Sequence, residues 1–368
     1  MFSAFVALAS CGGDDPVTPP SPVPPTPQPV GQLTLTAPTN AIKADGTDFC
    51  EFTVLNNGAP ITENVKLYMV GSTTPLTSMR FTTTTVGTYR FYASCGTAVS
   101  PQLSIIALTD IPQLPADANP SSTSFVHRVM ALQMTGTSCP NCPYMISAIR
   151  KLPATDAAKV LFTNIQCYNP YDPFYSKVAA QIGQAYGTDG VPAVSCDFYK
   201  ECVGAYRNPQ ETITALTELI DAEYAKPTSA GISASVIKSG EQLIITAGIK
   251  AVAKGKYRVG AWLVEDGLFA KQANSSGIKE DFDTHNNVVR AVAGQTSDYV
   301  FTGEIMSELA AGASTTHVLT INMASTWNVE NCRVLIFVTA PEAEGSNKYY
   351  ITNVIKCPVG GKTAFEYK

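Results

Sequence analysis

The sequence predicts three folded units in a row: a β module, an α/β domain and a second β domain. Three observations carry this. Apolar residues alternate with polar ones between positions 33 and 108, and again from 230 to the end. Between those stretches, short apolar runs alternate with helix-like periods. A Pro-rich segment falls at 16–30, and one rich in Pro, Ala, Ser and Asn at 110–124. The chain has 368 residues, room for two or three domains of roughly 100–200 residues each. Its 45% hydrophobic content is that of an ordinary globular protein with a sizeable core. A net charge of -5, with no Lys/Arg run, argues against nucleic acid as a partner. No apolar segment approaches the ~20 residues of a membrane-spanning helix.

The first ten residues read as the remnant of an export signal. Phe2 to Ala9 is short and apolar, and Leu8-Ala9-Ser10-Cys11 resembles a bacterial lipobox, in which cleavage precedes a cysteine that takes lipid. No Lys or Arg precedes the apolar run. Cys11 is therefore the expected lipidation site, and 11–30 the expected tether. Eight of the fifteen residues from Pro16 to Val30 are Pro. Such a segment extends as polyproline II at ~3.1 Å per residue and would hold the folded part roughly 45 Å from its lipid. Gly12-Gly13-Asp14-Asp15 resembles the surface-export signal of Bacteroidetes lipoproteins.

Residues 31–109 read as an all-β module. Cys50, Phe52 and Val54, then Val65, Leu67 and Met69, then Tyr89, Phe91 and Ala93 alternate as half-buried strands do. Asn56-Asn57-Gly58 and Val86-Gly87 are turn signals between them. The stretch Gly87 to Ala93 resembles a late strand of a bacterial immunoglobulin-like sandwich. Cys50 and Cys95 would be either an inter-sheet disulfide or two buried thiols.

A linker is expected over 110–124, then an α/β domain over 125–227. Its expected strands are His127 to Met134, Lys159 to Gln166 and Ala193 to Phe198. Its expected helices are Pro143 to Leu152, Pro173 to Tyr186 and one beginning at Asn208. Asn208 as cap, Pro209 in the first turn and Glu211 three residues after the cap mark that last start. Ile213, Leu216, Ile220 and Tyr224 form its apolar stripe. Strands alternating with helices imply a sheet covered on both faces.

From 228 to 368 strands return, with candidates including Ile244 to Ile249, Tyr257 to Val264, Val288 to Val292, Val318 to Ile321, Val334 to Val338 and Tyr349 to Ile355. A β-sandwich follows. Cys332 and Cys357 lie almost symmetrically about the turn-like stretch 341–347, so a hairpin there would bring them near each other, as a structural staple. Cys196 and Cys202 would likewise staple a short hairpin. Cys167 reads as a buried small hydrophobe. The polar run Glu280 to Asn287 is a loop before a strand. Its alternative use, a divalent cation held by Asp281, Asp283 and His285, lacks the Gly and distal Glu of an EF-hand loop.

The chemistry of the chain centres on Cys139-Pro140-Asn141-Cys142, between an apolar strand and a helix. At a helix start, unpaired N–H groups and the helix dipole favour a thiolate. Cys139 would attack a substrate disulfide and Cys142 would resolve the mixed disulfide. Gly190-Val191-Pro192-Ala193 stands where a thioredoxin-like fold has its cis-Pro loop, and Val203-Gly204-Ala205 resembles the thioredoxin ending. Cys139, Cys142 and Pro192 are the candidate catalytic residues. Two usual groups are missing: Ser138 stands for the aromatic and Gln133 for the buried acid. Two readings of the pair therefore stand together, a redox-active dithiol and a static disulfide on a binding protein. A zinc site is a third, short of the roughly four ligands zinc needs.

The chain resembles the Bacteroidetes outer-membrane lipoprotein family named for a 28 kDa outer membrane protein. The resemblance rests on Thr-Gly-x-x-Cys-x-x-Cys-Pro at Thr135 to Pro143, on His-Asn-x-Val-x-Arg at His285 to Arg290, and on the domain order. It implies an outer-membrane lipoprotein, facing the cell surface or the periplasm, with an immunoglobulin-like β-sandwich, a thioredoxin-like α/β domain and a C-terminal β-sandwich. The expected partners are an exported protein or peptide, as substrate or ligand, and the membrane that holds the lipid. No cofactor is expected.

Overall fold

The computed structural model describes residues 31–187, 190–294 and 301–368. Cys11 and the residues expected to be a signal remnant and a tether lie outside the described residues. Strand accounts for 41% of the structure and helix for 13%, so β structure carries most of the core.

Residues 33–108 form two facing sheets around one core. One sheet joins Leu33–Thr36, Thr53–Asn56 and Ala59–Ile61. The other is built on Ala41–Lys43, Leu103–Leu108, Gly87–Cys95 and Val65–Met69. Leu33, Leu35, Phe52, Val54, Leu67, Phe91 and Ile105 fill the space between. The hairpin at Asn57-Gly58 has both residues at positive φ, which is why Asn and Gly stand there. Cys50 and Cys95 are both buried, both unbonded and in this same core. Of the two expected states, they are the buried thiols.

The central sheet starts from Val129–Thr135, in which every residue is buried. Val160–Gln166 pairs with it in parallel, Ala193–Cys196 antiparallel. Cys202–Gly204 completes this edge. Helices α1 (Cys142–Arg150) and α4 (Pro209–Tyr224) cover one face, where Val129, Ala131, Met145, Ala148, Leu216 and Ile220 meet. Helix α3 (Lys177–Tyr186) covers the other, against Met130, Leu132, Met134 and Ile165. A short helix, α2 (Ala154–Ala157), links α1 to the next strand. Burial on both faces explains the unbroken apolar run.

Most boundaries fall close to expectation, and the departures have local causes. Helix α3 starts at Lys177 rather than Pro173, because Ser176 caps it by accepting from the Ala179 N–H. The strand at 193 stops at Cys196, because Asp197 and Phe198 both take positive φ. Asn208 caps α4 as expected, accepting from the Gln210 N–H, and its own amide donates to Glu211.

Beyond 228 the chain forms a sandwich. One sheet is Ser314–Asn322, Gln242–Ala251, Ala230–Ser239 and Lys362–Thr363. The other contains Val288–Ala293, Arg258–Glu265, Cys332–Pro341 and Tyr349–Pro358. This second sheet does not end at the sandwich. Asn164 pairs with Val288 in parallel, and the Asn164 N–H donates to the Asn287 carbonyl at 2.7 Å. The central strands and the sandwich strands are thus one nine-stranded sheet. One core spans both: Met130, Leu132 and Ile182 pack in the same cluster as Trp262, Leu335 and Phe337.

The expected staples do not form. Cys202 pairs with Ser195, so its neighbour Cys196 points to the opposite face; Cys202 joins one core cluster and Cys196 the other. Cys357 pairs with Val334, which leaves Cys332 as its diagonal neighbour, about 7–8 Å away and beyond disulfide reach. The segment 110–124 is pinned rather than loose. Asp117 receives bonds from the buried Lys250 at 3.0 Å and from the Tyr367 hydroxyl at 2.6 Å.

Candidate functional site: a strapped disulfide

Cys139 and Cys142 are joined by a disulfide, with Cα atoms 5.4 Å apart. Cys142 opens α1 and Pro143 follows it, a position where a missing N–H costs nothing. Gly136 is required just before, since a Cβ there would meet Tyr168 at 2.7 Å. Thr137 anchors the loop: its N–H and its hydroxyl both donate to the buried Asp172, at 2.5 and 2.7 Å. The Ser138 hydroxyl accepts from the Asn169 amide. Pro192 follows a cis peptide bond, one strand over, and the next residue, Ala193, pairs with Met134. The three candidate catalytic residues therefore share one end of the sheet.

Gln133 stands opposite Asn164 on the adjacent parallel strand. Each is 6% exposed. The Gln133 amide nitrogen and the Asn164 carbonyl oxygen lack protein partners. Both line a cavity of about 140 Å³ together with His285, Arg150 and Phe282. Gln133 thus occupies the expected place of the acid with an uncharged amide.

What the sequence did not reveal is a strap, residues 266–287, laid across the disulfide. The Gln272 amide donates to the carbonyls of Gly136 and Cys139, at 3.2 and 2.9 Å. The Ala273 N–H donates to Thr137, and the Ser275 N–H to Pro140, both at 2.8 Å. Helix α1 holds the far side. Ser147 donates to Glu280 at 2.7 Å, Lys151 pairs with the same carboxylate at 2.6 Å, and Arg150 donates to the Asp281 carbonyl. Lys151 and Ser147 together keep the Glu280 carboxyl below its ordinary range. Under this cover Cys139 is 2% exposed and Cys142 not at all.

The run from Glu280 to Asn287 forms one leg and the base of the strap. Asp281 accepts from the Asp283 N–H, and Asp283 from the Gln272 N–H and Lys271. His285 bonds the Ala270 carbonyl through Nε2 and meets Phe174 edge-on. Since a carbonyl only accepts, Nε2 carries the proton, and burial holds the ring's pKa down. Asn286 accepts from the Gly267 N–H, and Asn287 takes φ 54°. Arg290 pairs with the buried Glu265 and lies over Trp327. Among the described residues, no cluster of three His, Cys, Asp or Glu side chains is placed to hold a metal ion. The only warning of the strap in the sequence was a long stretch without strand or helix period, a length at which loops are usually functional.

Six other thiols among the described residues are not poised nucleophiles. Burial pushes Cys50 up to about 12, and Cys167 and Cys332 up to about 11. It raises Cys196, Cys202 and Cys357 as well.

Among solved structures, the chain is similar to HBP35 of Porphyromonas gingivalis, with 17% identity, 65% of this chain and 77% of that chain covered, and a TM-score of 0.49. It is more distantly similar to domains 4–9 of the surface layer protein SbsC, with 8% identity, 90% and 51% covered, and a TM-score of 0.16. No curated protein matches it. Among the described residues, no helix is long and apolar enough to cross a membrane. The family model for the outer membrane protein Omp28 matches residues 179–362, from α3 through the strap to the last strand. Half of the chain lies in that match, and the chain belongs to the Omp28 outer membrane protein family.

Proposed function

We propose that this outer membrane protein is a lipid-anchored, non-enzymatic binding protein in which Cys139–Cys142 is a static disulfide. The lipid would sit on Cys11, and the residues 31–109 would form an immunoglobulin-like module. The central strands, their helices, the Cys-x-x-Cys at the start of α1 and Pro192 one strand over support a thioredoxin-like unit. The observation that carries the static reading is the cover: Cys139 is 2% exposed and Cys142 fully buried. Thiol–disulfide exchange requires access of a thiolate to sulfur, and the strap is bonded to the carbonyls of Gly136, Thr137, Cys139 and Pro140 around that pair. The ligand in this reading is an exported protein or peptide.

A second reading keeps thiol–disulfide exchange on exported proteins. It is favoured by the dithiol motif at a helix N-terminus with Pro192 on the neighbouring strand. The test is turnover of a protein disulfide substrate by the reduced full chain, with Cys139 alkylation followed against pH. Absence of turnover, with a Cys139 thiol titrating near the free value of ~8.5, supports the static reading. Catalytic turnover that Cys139→Ser abolishes overturns it. Anchoring has its own check: Cys11→Ala should move the protein from the membrane fraction to the soluble one, and retention in the membrane would count against lipidation.

A further inference from the structure

The strap contacts the disulfide loop as an extended peptide would. Its two backbone donors, Ala273 and Ser275, are alternate residues, and they meet carbonyls of Thr137 and Pro140. That is the spacing at which one edge of an extended chain presents its N–H groups. Both donating residues are small. Tyr168 and Tyr171 are exposed on the loop that carries Asp172, which holds Thr137, and they add apolar surface beside the site.

The strap is also built to move as a piece. Its base is stitched: the Gly267 N–H donates to Asn286, the Asn287 N–H to Asp266, and Leu268 and Phe269 pair with His285 and Thr284. Gly267 and Asn287, at the two ends, both have positive φ. Beyond the base, only Gln272 and Phe282 are buried. Most of its other contacts are polar: those to Thr137 and Ser147 reach buried partners, while the bonds of Lys271, Asn274, Ser276, Asp281 and Arg150 are exposed. Few buried apolar contacts and many exposed hydrogen bonds mark a segment that opens locally, without unfolding the domain.

We propose that the 266–287 strap is an internal stand-in for an extended peptide, and that it lifts from its stitched base to admit such a peptide and to uncover the disulfide. This rests on the covered disulfide of the preceding section. An incoming peptide would need small residues at two alternate positions, to bring its N–H groups against Thr137 and Pro140.

The test reads access to the disulfide. The full chain is treated with excess of a small dithiol at neutral pH. One reagent thiolate attacks a protein sulfur to give a mixed disulfide. The second reagent thiol then releases both cysteines as thiols and leaves as a cyclic disulfide, so two electrons and two protons reach the protein. Samples are quenched with an alkylating agent, and labels are counted on the peptide containing Cys139 and Cys142. Gln272→Ala and Phe282→Ala should each accelerate reduction at least ten-fold, with the circular dichroism spectrum unchanged. Lys279→Ala, altering a strap residue exposed to solvent, should match the parent. If Phe282→Ala does not fold, Gln272→Ala combined with Glu280→Gln replaces it. A synthetic peptide of residues 270–278 should slow the accelerated variants back toward the parent rate.

Reduction rates within two-fold of the parent in the strap variants would overturn the gate. No slowing by the peptide would overturn the stand-in. Neither outcome depends on whether the reduced protein turns over a substrate, so failure here is distinct from failure of the non-enzymatic reading.

Discussion

Asp197 carries its carboxyl into a fully enclosed site at the end of the Ala193–Cys196 strand. Burial raises its pKa well above the ordinary 3.8, against the opposing bond from the Met130 N–H. A carboxyl with a raised folded pKa keeps its proton in the native state after the unfolded chain has released it. Native stability therefore falls as pH rises above ~3.9, until the folded group also ionises. Asn at this position would keep an acceptor for Met130 and shed the charge. It also tolerates the φ of 51° better than most residues. Asp197→Asn should be more stable than the parent by at least ~1 kcal/mol at pH 8, where one unit of pKa shift is about 1.4 kcal/mol. The gap should narrow at pH 5. Urea unfolding at the two pH values measures it; a gap independent of pH would show that Asp197 is not the group responsible. Gln133 is the residue-scale counterpart at the disulfide. Its identity was legible in the sequence as a missing acid. Its companion Asn164 was not, because a parallel pairing between distant strands leaves no local signal.

At the scale of elements, the N-terminal module docks on an open strand edge. The side-chain amide of Asn40 clamps Val318: Nδ2 donates to its carbonyl and Oδ1 accepts from its N–H, both at 2.8 Å. Ala41, Leu108, Ile244 and Val318 make a small apolar contact beside it. Such a clamp blunts an edge that would otherwise pair with another chain. Asn40→Ala should cost about 1–3 kcal/mol of docking, the usual penalty for leaving buried partners unmade. The Val318 amide should then lose protection against hydrogen exchange, while the Val334 amide keeps it; equal protection in both proteins would rule out the clamp. Legibility at this scale follows from how local the signal is. Helix α4 could be placed from Asn208, Pro209 and its apolar stripe, all within one short window. Helix α3 began late because Ser176, not Pro173, had the cap geometry. The strap had no period to find, since its order comes from donors aimed at another part of the chain.

For the whole molecule, the nine-stranded sheet sets what can be separated from what. Met130, Leu132 and Ile182 share their core with Trp262, Leu335 and Phe337. A fragment of residues 125–227 alone would expose that face and leave the Val160–Gln166 strand as an open edge. It should aggregate or remain partly unfolded, whereas 125–368 should unfold in one cooperative transition. Calorimetry of the two fragments decides this, and a stable, monomeric 125–227 would show that the shared core is dispensable. The β, α/β, β order was readable from periodicity, because each period is a property of its own segment. That the second and third units share a sheet was not, because it depends on a junction between Asn164 and Val288. The same distance between partners defeated the expected staples: Cys202 faces away from Cys196 because of register alone. The unbonded thiols that result give the molecule an internal clock. Cys50 and Cys95 sit in the N-terminal core, Cys202 in the shared core, Cys196 under α1 and α4, and Cys332 and Cys357 in the sandwich. A brief pulse of alkylating reagent during denaturation would stamp each compartment at the moment it opens, so the native chain already carries the probes needed to order its own unfolding.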